Sequence, residues 1–231
     1  MPKNTPSKDL KTVGIVLRRT NYGEADRILN VITPVGKVSV IARGVRKEKS
    51  KLAGGVEMLT LSDYVMHFGK SEMGVVTSAR MVRYFGELLK DYEKMELVGM
   101  LMKQINRVAE GSDNGEFFEI LKQCLEALEE GVTGRVVEAW FVLNLGRAMG
   151  EQMNLYRDVL GAKLLADEHY VWDAAEGAFR VHTVGEFGVD EIKLMRLMLA
   201  TKLEVVNRVK VSAVVWDRVC GLCRLNNTSM L

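Results

Sequence analysis

The chain has 231 residues, of which 48% are hydrophobic and 27% are charged, and its formal net charge is +2. This composition predicts a soluble protein with a sizeable core, in one large or two small domains, and no apolar run is long enough for a membrane span. The three cysteines, Cys124, Cys220 and Cys223, are too few for a secreted disulfide framework, so we expect a cytoplasmic protein.

The charge is divided unevenly along the chain. Residues 1–80 contain 14 Lys or Arg against 7 Asp or Glu, whereas residues 81–231 contain 18 against 23. A basic segment followed by an acidic one is typical of a polyanion-binding module joined to a second domain. We therefore predict a basic domain at 1–80 and a second domain at 81–231.

Five short segments rich in β-branched residues and separated by turn residues predict strands in the first domain. They are residues 12–18 and 25–33, a strand within the stretch 36–51 that Gly44 ends, and residues 56–67 and 72–79. Five strands with a long connection between the third and the fourth favour an OB-fold barrel, and an SH3-like barrel is the structural alternative.

The third predicted strand leads into a basic loop. Val38, Val40 and Ala42 alternate with polar residues, which indicates one buried and one solvated face. Gly44 ends the strand, and the cations that follow are opposed in sequence only by Glu48. These cations are Arg46, Lys47, Lys49 and Lys51.

Beyond residue 81 the apolar residues recur at helical spacing. Helices are predicted within 95–108, 117–128, 189–200 and 211–225, and the nearly continuous apolar run 136–145 predicts a central helix surrounded by others. Residues 168–183 predict a small hairpin within this mainly α-helical domain. The fold class is therefore α+β.

Nucleic-acid binding is the leading interpretation of the basic domain, because cations on a barrel face and its loop can contact phosphates. The alternative is a basic surface that is merely solvated. Aromatic residues are sparse in the predicted barrel, where Tyr22, Tyr64 and Phe68 are available for stacking. We therefore expect contacts to the nucleic-acid backbone to dominate.

Catalytic and metal sites are not predicted. The CxxC pair Cys220 and Cys223 has no second pair and no nearby histidine, so structural packing is the favoured interpretation. The histidines are isolated from any serine or cysteine motif, and a phosphate-binding loop pattern is absent from the sequence. We expect no enzymatic activity, no metal and no cofactor.

Residues 14–57 resemble a known family in detail. The stretch reads GIVLRRTNYGEADRILNVITPVGKVSVIARGVRKEKSKLAGGVE, and its distinctive pieces are the GIVL strand, the Tyr22-Gly23-Glu24 turn, Gly36-Lys37, and Ala42-Arg43-Gly44 followed by basic residues. This pattern resembles the N-terminal domain of RecO, a family of bacterial DNA repair proteins. The resemblance is strong before residue 80 and diffuse after it.

The resemblance implies an OB barrel followed by a helical domain, and a recombination mediator associated with the nucleoid. Such a protein binds single- and double-stranded DNA, anneals complementary strands and, with RecR, helps RecA replace single-strand-binding protein, whose tail is an expected partner. Many members carry a four-cysteine zinc module, but residues 156–182 contain no cysteine, so no zinc is expected here.

We predict one DNA-binding patch built from the strands and the loop of the barrel. Its members are Arg18, Arg19, Arg27, Lys37, Arg43, Arg46, Lys47, Lys49 and Lys51. Two other functions are compatible with the same pattern: a protein-interaction adaptor, and an RNA-binding OB-fold protein.

Overall fold

The computed structural model describes residues 8–69, 73–111 and 114–229, and the chain divides between Leu125 and Glu126 into two compact units. The strands of the first unit are β1 (Lys8–Tyr22), β2 (Asp26–Thr33), β3 (Gly36–Ala42), β4 (Thr60–Phe68) and β5 (Gly74–Tyr84). Helix α1 (Tyr92–Val108) and most of α2 (Glu116–Glu129) belong to the same unit. The predicted limit between residues 80 and 81 falls inside β5, and the compact units divide later along the chain.

The five strands close into a barrel in the order β1-β2-β3-β5-β4. Neighbouring strands are antiparallel except β3 and β5, which run parallel where Ile41 pairs with Val75. The barrel closes because the first half of β1 pairs with β4 and the second half, from Ile15 onward, pairs with β2. This strand order is that of the OB fold, so the predicted five-stranded barrel is confirmed over the SH3-like alternative.

Alternating apolar residues fill the barrel, as the two-residue period of the strands predicts. Val16, Leu29, Val40, Tyr64 and Met66 are no more than 1% exposed and belong to one core cluster. Residues of the opposite face alternate with them along each strand, and some of these, such as Ile15 and Ile32, are also buried. The core therefore decides which side of each strand can carry function.

Several strand boundaries differ from the sequence prediction, and β1, predicted at residues 12–18, runs from Lys8 to Tyr22. Strand β4 begins at Thr60 rather than at residue 56, because Ala53–Val56 form a 3₁₀ turn and Leu59 adopts φ +59°, which interrupts an extended path. Strand β5 continues to Tyr84, and its predicted first residue, number 72, lies outside the described residues.

The second unit is built around α3 (Gly134–Met149), which packs against α4 (Val189–Ala200) and α6 (Ala213–Ser229). Residues 139–146 of α3 are all buried, in agreement with the central helix predicted from the apolar run. The buried Asn144 side chain of α3 donates from its amide to the Met198 carbonyl of α4 at 3.1 Å. A short helix, α5 (Leu203–Val206), connects α4 to the last helix.

A three-stranded sheet of order β6-β8-β7 joins these helices in the second unit. Strands β7 (Tyr170–Asp173) and β8 (Ala178–Val181) pair antiparallel at the position of the predicted hairpin, and β6 (Asn154–Asp158), which the sequence did not predict, runs parallel to β8. The Phe179 ring lies 5.1 to 6.1 Å from the rings of Tyr170, Trp172 and Phe187. This aromatic cluster packs the segment where the resemblance would place a zinc module.

None of the helices in the described parts of the chain combines the length and the apolar composition that a membrane span needs.

Candidate nucleic-acid interface

The loop after β3, residues 43–52, is called the basic loop because it carries five exposed cations. These are Arg43, Arg46, Lys47, Lys49 and Lys51. The loop is fixed to the barrel at its start: the Gly44 amide donates to the Asp26 carboxylate at 2.7 Å, and the Arg46 amide donates to the Ala25 carbonyl at 2.9 Å. Val45 is 2% exposed and packs into the barrel core. The cations are thus presented by a folded loop.

The chain after the basic loop is held at Gly55. The Tyr64 hydroxyl, inside the barrel, donates to the Gly55 carbonyl at 2.7 Å. Gly55 itself lies so close to β5 that an added Cβ would come within 2.6 Å of the Ala79 backbone. A glycine is therefore required here for close approach of two backbones, and Tyr64 connects this contact to the core.

Two of the predicted DNA-binding arginines share one carboxylate. Arg19 pairs with Glu57, and Arg27 donates to the other oxygen of the same carboxylate at 2.9 Å. Arg27 also donates to the Asn21 side chain at 3.3 Å. Sequence reasoning missed Glu57 as a partner because it follows Arg19 by 38 residues and the intervening loop brings it back.

Lys37 is held against α1 instead of facing solvent. Its side chain is 4% exposed, and its ammonium group donates to the Asn106 carbonyl at 2.8 Å and pairs with Glu110. The Asn30 amide of β2 donates to the Asn106 side chain at 3.2 Å beside it. These contacts join the barrel to α1 within the first unit, and the charge of Lys37 is paired with Glu110.

The remaining predicted residue, Arg18, is exposed on the outer face of the barrel. Its strand partner is Asn30, which pairs in turn with Ser39 of β3, so these side chains share that face. The structure therefore separates the predicted patch into four parts: the exposed cations of the basic loop, the Arg19–Arg27–Glu57 cluster, Lys37 against α1, and Arg18 in the row of Asn30 and Ser39.

A groove of about 500 Å³ lies on the outer face of the barrel beside the basic loop. Ile28, Ile41 and Val75 line its floor, since they occupy one row across β2, β3 and β5. Tyr22, which is 56% exposed, and Arg43 also line the groove. An aromatic ring, an apolar floor and a cation thus meet at one site.

A second groove, of about 530 Å³, lies between the barrel and α1 in the same unit. Its lining is mostly apolar and includes Met58, Met81, Met95 and Met102. Thioether side chains adapt to irregular apolar partners, which makes such a groove suited to a peptide.

The cysteines are buried packing residues. Burial raises the pKa of the Cys124 and Cys223 thiols and also that of Cys220, whose Sγ donates to the Arg135 carbonyl at 3.4 Å. Such thiols stay protonated, which disfavours nucleophilic chemistry. Among the residues whose placement the structure describes, no three His, Cys, Asp or Glu are grouped so that they could hold a metal ion.

Comparison with known proteins covers nearly the whole chain. Residues 8–85 match the family model described as recombination protein O N terminal, and residues 89–225 match the one described as recombination protein O C terminal. These matches extend over both the barrel and the helices.

Curated relatives carry the name DNA repair protein RecO. The protein of Roseiflexus sp. (strain RS-1) is 29% identical over 210 residues, which cover 87% of this chain and 74% of the relative. The protein of Alkaliphilus metalliredigens is 27% identical over 213 residues, covering 88% and 86%, and that of Acetivibrio thermocellus is 37% identical over 100 residues, covering 43% and 39%. With an OB barrel, a helical domain and both family models matched, this chain belongs to the RecO family of DNA repair proteins.

Proposed function

We propose that this protein binds single- and double-stranded DNA without sequence specificity, anneals complementary strands and, together with RecR, helps RecA replace single-strand-binding protein at gaps. Membership of the RecO family supports the proposal. The observation that carries it is the set of five exposed cations on a folded loop beside an OB barrel. The tail of single-strand-binding protein is a proposed partner, and the nucleoid is the proposed location.

The proposed mechanism needs no bond-making residue, so we propose that the protein is not an enzyme. Cations that bind two phosphate backbones lower the repulsion between complementary strands. Base pairing then supplies the sequence specificity, since phosphate contacts carry no sequence information. Annealing follows from charge neutralisation and from holding the two strands near each other.

Binding is expected to depend steeply on salt. If about six phosphates are engaged, affinity should fall on the order of a thousandfold between about 50 and 200 mM salt, because condensed counterions are released on binding. Fluorescence anisotropy with a labelled oligonucleotide and with its duplex measures this dependence, and a strand-annealing assay on the same pair tests the activity. A flat salt response would contradict the proposal.

Glu57 is expected to restrain DNA binding, because its carboxylate neutralises Arg19 and Arg27. Glu57→Gln should therefore tighten binding roughly two- to tenfold at about 50 mM salt and have little effect at high salt, where surface charges are screened. Glu176→Gln removes an exposed carboxylate from the second unit and serves as the matched control for net charge. Equal gains in both variants would show that only the net charge matters.

A protein-interaction adaptor is the second candidate function, and the methionine-lined groove between the barrel and α1 favours it. An adaptor would bind apolar peptides with an affinity that is insensitive to salt, unlike a DNA binder. Titration with DNA and with purified partner proteins separates the two candidates. Competition between matched DNA and RNA strands tests the RNA-binding alternative.

A further inference from the structure

We infer that the outer-face groove of the barrel holds one unstacked base of a single DNA strand, with the Tyr22 ring as its stacking partner. The inference rests on the proposed function and adds to it a specific contact that a duplex cannot make. Backbone contacts alone, as expected from the sequence, do not distinguish a single strand from a duplex at this site.

The apolar floor of the groove and the Tyr22 ring beside it suit a planar, largely apolar ligand. Ile28, Ile41 and Val75 form a continuous row across three strands, because Ile28 pairs with Ile41 and Ile41 pairs with Val75. Tyr22 ends β1 beside this row and is 56% exposed although it lines the groove. An exposed aromatic ring over an apolar floor offers the stacking surface that single-strand binders use, and stacking is tolerant of sequence.

The charges around the groove favour a nucleotide over a neutral ligand. Arg43 lines the groove and is the first residue of the basic loop, so a base on Tyr22 would bring its phosphate beside a run of exposed cations. His67 pairs with Val75 and extends the same row. Its Nδ1 lies 2.8 Å from the Asp9 carboxylate, so this carboxylate already has a partner within the barrel. A duplex cannot place a base on Tyr22, because its bases are stacked and paired.

This arrangement has a consequence for annealing. A base seated on Tyr22 is withdrawn from pairing, and it leaves the groove when the complementary strand pairs with it. The groove therefore binds the single-stranded reactant more tightly than the duplex product, which allows release after annealing while the basic loop contacts both.

The test compares Tyr22→Ala with Tyr22→Phe and with Tyr92→Ala, which removes an 82% exposed tyrosine from α1. Fluorescence anisotropy is measured with an oligothymidine strand, with the same strand carrying abasic sites, and with a duplex of equal phosphate number. Tyr22→Ala should weaken binding of the oligothymidine strand by about 5- to 150-fold and leave the abasic strand and the duplex unchanged. Tyr22→Phe should bind like the wild type, because the ring is retained.

Equal oligothymidine binding by Tyr22→Ala and Tyr92→Ala would overturn the inference while leaving the proposed function in place. Absence of DNA binding by the wild-type protein would overturn both. A third arm adds an acidic peptide. If Tyr22→Ala abolished binding of this peptide but not of DNA, the groove would belong to a protein partner and the inference would be wrong.

Discussion

Replacement of Arg43, Arg46 and Lys47 by Glu is expected to weaken DNA binding by about a hundred- to a thousandfold at about 50 mM salt. Each lost phosphate contact removes about one unit from the slope of affinity against salt concentration, so the slope should fall by about three. Folding should be almost unaffected, because the three side chains are exposed and the loop is held by backbone groups at Gly44 and Arg46.

A matched triple variant separates the basic loop from net charge. Lys103, Lys193 and Lys210 are also exposed, and their replacement by Glu changes the charge of the protein by the same amount. The basic-loop variant should lose affinity in a salt titration, whereas this control should lose much less. Comparable losses in the two variants would contradict a localised interface.

Tyr64→Ala is expected to destabilise the barrel by about 3 to 5 kcal/mol, the range typical of truncating a large buried aromatic side chain. Tyr64 is 1% exposed, lies in the core cluster and donates its hydroxyl to the Gly55 carbonyl. Burial raises the pKa of this hydroxyl, so it remains a donor at neutral pH. The truncation removes both the ring and this hydrogen bond.

Tyr64→Phe tests the hydrogen bond alone. The ring is retained but the Gly55 carbonyl loses its side-chain donor, at an expected cost of about 1 to 3 kcal/mol. Because Gly55 follows the basic loop, this variant should also loosen the loop and weaken DNA binding, although every cation is present. Equal stability of the wild-type and Phe proteins would show that the hydrogen bond contributes nothing.

The stability measurement requires a probe located in the barrel. The three tryptophans, Trp140, Trp172 and Trp216, all belong to the second unit, so their fluorescence does not report on the first. Hydrogen exchange of peptides from residues 8–84, followed by mass spectrometry, reports on barrel opening directly. Tryptophan fluorescence then serves as an internal control and should be unchanged by either Tyr64 variant.

Much of the fold could be predicted because its signals are local. The two-residue alternation of residues 37–43 and the break at Gly44 predicted a strand here, and the observed β3 is Gly36–Ala42. The apolar run in α3 likewise predicted a central helix. Two features were not predicted: Leu59 adopts a positive φ before β4, and β6 pairs with a strand more than twenty residues later.

The candidate site was also predicted only in part. The sequence alone determined which cations are present, that they are concentrated in the first 80 residues, and that they lie on strands and a loop. It could do so because charge and periodicity are properties of neighbouring residues. Only the tertiary structure decided which cations are paired, since Glu57 reaches Arg27 across 30 residues and Glu110 reaches Lys37 across 73. It also brought Tyr22 beside Arg43, because closing a barrel places side chains from five separate strands on one surface.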